Sequence, residues 1–369
     1  MPPKRLVLLA ICDVSVSCYT RQHDTVPDGL RFMSARYPFS AIAGQDELKL
    51  ALLLTAVDPL IGGLLAFGDR GTGKSTAVRA LAALLPEIKA TSCAYHCDPE
   101  TPSAQCAECK KSTAHKTRKI SIPVVDLPLG ATEDRVLGSL NLEHALAHGE
   151  KRFEPGLLAQ ANRGYLYVDE VNLLEDHIVD LLLDVAQSGE NVVEREGLSV
   201  RHPARIVLVG SGNPEEGELR PQLLDRFGLS VEVRTPTDVS TWVEIVKRRD
   251  AFERDPPAFN AQWAKEEDAI RRRIVKARKH LNDVDVPDQI LERAAALCIN
   301  LKTDGLRGQL TLMRAARALA AYEGAKRVTD DHLKRMAGCS LRHRLRRNPL
   351  DETGSTTRIN RAVAEVLGA

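Results

Sequence analysis

The stretch Gly68-Asp69-Arg70-Gly71-Thr72-Gly73-Lys74-Ser75 decides the fold class that we predict for this chain. It lies between an apolar run at 63–67 and a helix-like segment at 76–81. The glycines allow a tight turn in which several backbone N–H groups converge on phosphate oxygens, and the helix that follows adds its positive amino-terminal end. In such a loop Lys74 reaches the β- and γ-phosphates and the Ser75 hydroxyl ligates Mg²⁺. These eight residues together with Thr76 therefore predict a nucleoside triphosphate site.

Composition limits the classes of protein to which the chain can belong. Its 51 basic and 50 acidic residues nearly cancel, so there is no overall positive field for nucleic acid or an anionic membrane. Aromatic residues make up only 4%, which argues against an all-β sandwich or a stacking platform for single strands. No stretch of the sequence approaches the ~20 apolar residues of a membrane span. We therefore expect a helix-rich α/β protein with no transmembrane segment and no nucleic-acid partner.

Residues 1–32 resemble a leader sequence only in part. Lys4-Arg5 and the apolar run at 6–11 imitate a signal peptide, but Asp13 interrupts the run and no small-residue cleavage site follows. The acidic residues also argue against a transit peptide. We expect one of two explanations. Residues 1–32 are a disordered extension, or the assigned translation start lies upstream of the true one, with Met33 as the initiator. The predicted location is the cytoplasm, or the plastid stroma in a eukaryote, where the eight cysteines are reduced.

The order of apolar runs predicts the domain organisation. Short runs at 123–127, 165–170 and 205–210 alternate with helical segments, as in a parallel sheet covered on both faces by helices. Two β-rich stretches within 190–201 surround Glu196-Gly197 and predict a β-hairpin insertion. Strand signals stop near residue 237. Periodic helical patterns follow at 239–251, 266–280, 288–301, 308–324 and 329–347.

We therefore expect an α/β nucleotide-binding domain over 33–236, with a cysteine-containing insertion at 90–120. A linking helix at 237–262 and a helical domain at 263–369 are predicted to follow it.

Polar residues stand where nucleotide chemistry needs them. Asp169 ends an apolar run and is a candidate partner of the nucleotide's Mg²⁺, and Glu170 is a candidate base. Asn213 follows the next run and can orient water against the γ-phosphate, although an Asn-Pro turn is the alternative. Arg226 follows a short helix and can serve a neighbouring subunit as an arginine finger, or else form a surface ion pair. Arg307 opens a later helix and is a candidate phosphate contact.

Four cysteines in the insertion form a separate candidate site. Cys93, Cys97, Cys106 and Cys109 are spaced by three, eight and two intervening residues, which suits a tetrahedral Zn²⁺ site with His96 or His115 as substitute ligands. A redox-responsive thiol pair and a solvated surface insertion are the alternatives.

The basic run at 341–347 predicts a solvated helix end whose cations complement the helix dipole, with a nucleic-acid site as the less favoured alternative.

From about residue 37 to its end the chain resembles the I-subunit family of magnesium chelatase, a family of AAA+ ATPases that assist Mg²⁺ insertion into protoporphyrin IX. The runs that carry the resemblance are 38–45, 68–75, 126–139, 153–158, 165–172, 212–217, 220–227 and 304–308. The resemblance implies that Lys74 and Ser75 belong to the Walker A motif and that Asp169 and Glu170 form Walker B. It also implies that Asn213 is sensor 1, Arg226 the arginine finger and Arg307 sensor 2.

The resemblance further implies an AAA+ core followed by an all-helical domain, assembled as a hexameric ring with ATP between subunits. It implies a D-type AAA+ partner, a porphyrin-binding H-type partner and a place in chlorophyll or bacteriochlorophyll synthesis. Segments 126–156 and 190–201 resemble insertions of the family and are candidates for partner contact. The ATPase of a cobalt chelatase and a MoxR-like chaperone are the alternative functions, and a DNA-translocating AAA+ protein is a third.

Overall fold

The computed structural model describes residues 36–111, 116–195, 197–217, 219–345 and 354–368. The predicted extension at 1–32 lies outside them. Eleven strands are described: β1 (Leu64–Gly68), β2 (Ile88–Thr91), β3 (Thr117–Ile120), β4 (Val124–Leu127), β5 (Gly138–Leu140), β6 (Phe153–Pro155), β7 (Gly164–Val168), β8 (Glu190–Arg195), β9 (Leu198–Pro203), β10 (Ile206–Gly212) and β11 (Leu229–Val233).

Fourteen α-helices are described in the same ranges, and several short 3₁₀ turns connect them. The helices are α1 (Asp46–Val57), α2 (Lys74–Leu84), α3 (Ala107–Lys111), α4 (Glu133–Leu137), α5 (Leu142–His148), α6 (Leu157–Gln160), α7 (Asp176–Ser188), α8 (Pro221–Arg226), α9 (Val239–Arg254), α10 (Pro256–His280), α11 (Asp288–Asn300), α12 (Arg307–Glu323), α13 (Asp330–Leu341) and α14 (Ser355–Leu367).

Five parallel strands form the central sheet in the order β11-β1-β10-β7-β4. Every residue of β7 and β10 is buried, which explains why these strands appear in the sequence as continuous apolar runs rather than alternating ones. Because all five strands are parallel, their carboxyl ends meet at one edge of the sheet. The predicted α/β fold with a parallel sheet is confirmed.

Successive residues of a strand in the central sheet pack into two different hydrophobic cores, one on each face of the sheet. In β1, Leu64 packs with α1, α2 and the carboxyl-terminal helices, whereas Leu65 packs with α7 and the segment around Phe227. Leu64, Leu65 and Phe227 are all fully buried. This alternation follows from the two-residue period of a strand, and it makes the sheet the middle layer between two sets of helices.

The chain after residue 237 is helical, as its periodicity predicted. Asp255 caps α10 by accepting a hydrogen bond from the Ala258 N–H at 3.0 Å, and Pro256 occupies the first turn, where a missing N–H costs nothing. Arg278 of α10 donates to the Ala56 carbonyl at 2.6 Å. The Arg278 side chain thereby satisfies a backbone carbonyl at the end of α1 and joins the later helices to that helix.

The predicted solvated basic helix end is wrong for the described part of the run. Helix α13 ends at Leu341, and the Arg342 and Arg344 side chains are 11% and 1% exposed. Arg342 pairs with Glu47 at 3.1 Å, and Arg344 lies 3.2 Å from Asp225. A buried guanidinium needs such partners, so these cations fix the end of α13 to α1 and α8. Residues 346 and 347 of the run lie outside the described residues.

The predicted hairpin is formed by β8 and β9, which pair antiparallel from Glu190–Pro203 to Arg195–Leu198. Glu196 of its predicted turn lies outside the described residues, and Gly197 has a φ of +72°. Two further antiparallel pairs, β2 with β3 and β5 with β6, were not predicted. No described helix combines the length and apolar character needed to cross a membrane.

Candidate nucleotide site

The glycine-rich loop leads directly from β1 into α2. Gly73 caps α2 with a φ of +82°, and Gly71 has a φ of +72°. Apart from adjoining residues of the loop and helix, no heavy atom of the described residues lies within 4 Å of where a side-chain carbon would stand on Gly71 or Gly73. The loop is therefore open on that side, next to the amino-terminal end of α2, where a helix favours phosphate oxygens.

Lys74 lies inside this loop. Its Nζ donates to the Gly68 carbonyl at 2.7 Å and to the Asp69 carbonyl at 3.0 Å. Burial lowers the pKa of the Lys74 ammonium, and the nearby carboxylates of Asp169, Asp69 and Glu170 oppose that shift. Its donors are directed at neutral carbonyls, so a phosphate oxygen offers a stronger, charged acceptor at the same place.

Asp169 follows β7 at the same edge of the sheet. Its Oδ1 accepts a hydrogen bond from Ser211 Oγ at 2.5 Å and one from the Tyr167 hydroxyl at 3.1 Å. The Glu170 N–H donates to Ser211 Oγ at 3.3 Å. Burial raises the pKa of Tyr167 to about 12, so this hydroxyl keeps its proton and remains a donor. Asp169 is thus an oriented carboxylate with a second oxygen left for a cation.

Ser211 and Tyr167 were missed by the sequence analysis. Ser211 is the next-to-last residue of the buried strand β10, which lies beside β7 with Gly210 opposite Val168. A polar residue at the carboxyl end of the neighbouring strand was the available signal, but it becomes informative only once the strand order is known.

Glu170 adopts a left-handed backbone conformation with a φ of +54°. Its carboxylate lies 3.5 Å from the Arg70 guanidinium, which also pairs with Glu216. Arg70 is 68% exposed, so solvent screens these pairs. Non-glycine residues rarely adopt this conformation, and where they do the surrounding structure imposes it, commonly at functional sites. The structure thus places Glu170, the predicted base, beside Arg70 of the loop.

Asn213 follows β10 and is buried. Its Oδ1 accepts a hydrogen bond from the Glu215 N–H at 3.1 Å, so the side chain caps the short 3₁₀ turn at Pro214–Glu216. Gly212 lies opposite Phe67 of β1, which places Asn213 at the same edge of the sheet as the loop. Both sequence interpretations, a turn former and a residue near the phosphates, are compatible with this position.

A cavity of about 370 Å³ adjoins the loop. Its walls come from residues 37–45, from the loop, and from the segment 235–249, and its apolar lining includes Ile42, Pro236 and Ile245. The Asp69 carboxylate joins the loop to the third wall, because its Oδ2 accepts from the Thr235 N–H at 2.8 Å and the Thr235 hydroxyl at 2.6 Å. An apolar cavity next to a phosphate-binding loop suits a flat nucleobase. The sequence analysis did not find this cavity.

Arg226 and Arg307 lie at the opposite edge of the sheet. Arg226 ends α8, just before Gly228, whose N–H donates to the Gly62 carbonyl ahead of β1 at 2.8 Å. Arg226 pairs with Asp180 at 3.0 Å and Asp184 at 2.7 Å. Five residues of β1 separate this edge from the loop, about 16 Å at the usual rise per residue.

Arg307 joins Arg226 at this edge. It pairs with Asp225 at 2.9 Å, and both arginines line a second cavity of about 210 Å³. The structure thus brings the loop, the acidic pair and Asn213 together and holds the two arginines apart from them.

A parallel sheet with a phosphate loop after β1, an acidic pair after β7 and a helical lid defines an ATPase of the AAA+ class. The family model described as an AAA lid domain matches residues 291–363, and the one described as "Magnesium chelatase, subunit ChlI" matches residues 139–220. A solved chain described as a putative ATPase from Cytophaga hutchinsonii has the same fold, with a TM-score of 0.61 at 16% identity over 89% of this chain and 92% of that one.

Relatives with higher sequence identity show to which family of this class the chain belongs. The magnesium-chelatase 38 kDa subunit of Acidiphilium rubrum is 65% identical over 90% of this chain and 98% of its own, and that of Rhodobacter capsulatus is 65% identical over 90% and 94%. A chain from a cryo-EM reconstruction of the complex between subunits BchI and BchD of magnesium chelatase is 62% identical over 85% of this chain and 98% of that one, with a TM-score of 0.51. This chain belongs to the magnesium chelatase I-subunit family.

Proposed function

We propose that this chain is the ATPase motor subunit of a magnesium chelatase, which couples ATP hydrolysis to the insertion of Mg²⁺ into protoporphyrin IX. The observation that supports this most directly is the shared sheet edge, where Lys74, Asp169 and Glu170 stand beside a cavity that suits a base. The high identity to magnesium-chelatase subunits over nine-tenths of the chain connects this ATPase site to that reaction.

Each residue at this edge has a role in the proposal. Lys74 binds the β- and γ-phosphates and offsets the negative charge that develops there, while Ser75 and Asp169 would hold the Mg²⁺ of MgATP, which would supply further positive charge. Glu170 accepts a proton from the attacking water, and Asn213 orients that water. Ser211 keeps the Asp169 carboxylate in one orientation through the 2.5 Å hydrogen bond.

Arg226 and Arg307 act on a neighbouring subunit in this proposal. Both lie at the sheet edge away from their own loop, so neither is placed to reach the nucleotide of its own chain. A head-to-tail ring brings this edge of one subunit to the loop of the next. Cations supplied across such an interface stabilise the charge of the transition state. In the free chain, acidic residues hold both guanidinium groups in place.

The proposed assembly is a hexameric ring that works in the cytoplasm, or in the plastid stroma of a eukaryote, with a D-type AAA+ subunit and a porphyrin-binding H-type subunit. The relative solved with BchD supports the D-type partner. Mg²⁺ loses its water reluctantly, so free energy from ATP is used to reshape the subunit that carries the porphyrin while the metal enters as substrate. The present chain is the motor in this scheme and does not itself hold the porphyrin.

The test is a reconstitution. Purified chain is mixed with D-type and H-type subunits, protoporphyrin IX, Mg²⁺ and ATP, and the fluorescence of Mg-protoporphyrin is followed. Lys74→Ala should give no product because it removes the phosphate contact, whereas Lys326→Ala, an exposed lysine between α12 and α13, should retain full activity.

Absence of product despite intact ATPase activity, with partners that work with their own I subunit, would overturn the proposal. Product formed with Co²⁺ and a corrin precursor instead would favour the cobalt chelatase.

A further inference from the structure

The cysteine-containing insertion has almost no apolar core of its own. Between residues 92 and 111, the buried side chains are Tyr95, Cys97, Gln105, Cys106 and Cys109. One aromatic ring and three thiols bury too little apolar surface to offset the ordering of some twenty residues of backbone. Segments with so small a core are commonly held by a bound metal or by disulfides.

The four sulfur atoms of the insertion converge. The Sγ atoms of Cys93, Cys97, Cys106 and Cys109 all lie within 4.8 Å of one another. A tetrahedron with four Zn–S bonds of about 2.3 Å has edges of about 3.8 Å, so a contraction of no more than about 1 Å closes the site. The Cys-x₃-Cys and Cys-x₂-Cys spacings fall in the range that structural zinc sites use.

Hydrogen-bond donors already surround the sulfur atoms. The Cys106 N–H donates to Cys97 Sγ at 3.2 Å, and the Thr91 hydroxyl lies 3.1 Å from Cys93 Sγ and 3.5 Å from Cys109 Sγ. Such outer contacts orient and stabilise thiolate ligands. The ligand atoms that converge among the described residues are the four thiols without His96, and His115 lies outside those residues.

We propose that Cys93, Cys97, Cys106 and Cys109 form a closed, structural Zn²⁺ site, which goes beyond the ATPase function and does not depend on it. Four sulfur ligands leave no open position for catalysis. Each thiol gives up its proton to solvent when the metal binds, and no redox step is involved.

The site also holds the β8–β9 hairpin in place. Tyr95 lies between Cys93 and Cys97, and its ring centroid is 4.6 Å from that of His202 in β9. Asn162 donates to the Tyr95 carbonyl at 2.6 Å, and its Oδ1 accepts from the Arg205 N–H at 2.9 Å. Zinc would therefore fix the position of Tyr95, against which His202 of the hairpin packs.

The test measures metal directly. The full chain is purified under reducing conditions without chelator, and zinc is counted per chain by mass spectrometry. One zinc per chain is expected, together with the charge-transfer and d–d bands of tetrahedral thiolate coordination after exchange to Co²⁺.

Loss of an outer-sphere partner costs about 10–100-fold in metal affinity, and Cys97→Ser and Cys106→Ser, which each remove a ligand, should weaken zinc affinity by more than that. Cys298→Ser, which changes a buried thiol of α11, should keep the metal and serves as the matched control.

A second readout remains valid if the serine variants fail to fold. Removing zinc from the wild-type chain with a chelator should speed amide hydrogen exchange in β8 and β9, and adding Zn²⁺ should reverse the change. The proposal is overturned if reduced protein contains no stoichiometric zinc, or if the intact mass shows disulfides among these cysteines in place of metal. Loss of zinc in His96→Ala would overturn the four-thiolate ligand set.

Discussion

At the scale of the residue, Gly68 shows how closely the phosphate loop is fitted to the sheet. Its φ is +145°, and a side-chain carbon there would lie 1.9 Å from the Val233 carbonyl oxygen of the neighbouring strand. Gly71 also has a positive φ, but its surroundings are open. The two glycines therefore serve different purposes: Gly68 allows two backbones to approach, and Gly71 allows only a turn.

Gly68→Ala should destabilise the chain by about 2–5 kcal/mol, because strain and a backbone clash combine. Gly71→Ala should cost about 1–2 kcal/mol, the price of a left-handed alanine. Urea denaturation of both variants measures the free energies of unfolding. Equal destabilisation by the two substitutions would show that the approach to Val233 is not what requires Gly68.

Ser211 is the residue on which the orientation of Asp169 depends. Ser211→Ala removes the 2.5 Å hydrogen bond and should lower kcat for ATP hydrolysis by about 10–100-fold, while nucleotide affinity changes less. Steady-state kinetics and titration with a fluorescent nucleotide separate the two effects. Ser188→Ala, which removes a serine at the end of α7, should leave both unchanged. A kcat that stays normal in Ser211→Ala would exclude this positioning role.

The positions of the loop, Asp169 and Glu170 were predictable from the sequence, and those of the residues that support them were not. The loop, Asp169 and Glu170 are neighbours in sequence or follow apolar runs, so local pattern identifies them. Ser211 and the cavity wall near Thr235 lie far from the loop in the chain and reach it only through strand order. No local signal carries that information.

At the scale of the element, the β8–β9 hairpin contains a buried histidine with a defined tautomer. His202 Nε2 lies 2.9 Å from the Asn191 amide nitrogen, which donates to it, so Nδ1 carries the proton and donates to the Pro203 carbonyl at 3.0 Å. Burial lowers the pKa of His202 below its ordinary value of 6.5. A second proton on the His202 ring would sit on Nε2, where its N–H would face the Asn191 N–H.

The folded chain should therefore lose stability in mild acid. With its lowered pKa the folded state binds fewer protons than the unfolded state, so the free energy of unfolding falls as the pH drops below about 6.5. Denaturation at about pH 7.5 and 5.5 measures the difference, which should be smaller in His202→Gln. His148→Gln, at an exposed site, should keep the wild-type difference. An unchanged pH dependence in His202→Gln would remove His202 from this explanation.

Elements with a strong local pattern were predicted well, and those with a weak pattern were not. The four apolar runs at 63–67, 123–127, 165–170 and 205–210 correspond to β1, β4, β7 and β10. The fifth strand of the sheet, β11, was missed because Leu229, Val231 and Val233 alternate with polar residues and do not form a continuous apolar run like those of β7 and β10. The pairing of β2 with β3 was also missed, since β3 is largely exposed and has little apolar signal.

At the scale of the whole molecule, the position of Arg226 and Arg307 makes a prediction about assembly. Lys74→Ala and Arg226→Ala should each hydrolyse little ATP alone, and Arg226→Ala should still bind nucleotide. In a mixture of equal parts, about one quarter of the interfaces join an intact loop to an intact Arg226, so hydrolysis should partly recover. ATPase assays on the separate and mixed variants measure this. Failure of every mixture to recover would indicate that Arg226 acts within its own chain.

The separation of these two arginines from the loop, one strand length apart, also affects how the protein behaves in dilute solution. In the proposed ring each reaction site takes its phosphate loop from one chain and its two arginines from the next, so a solitary chain would complete neither site. ATP turnover per chain should therefore depend on how many chains assemble. A cell could adjust its rate of ATP consumption through the abundance of this subunit alone.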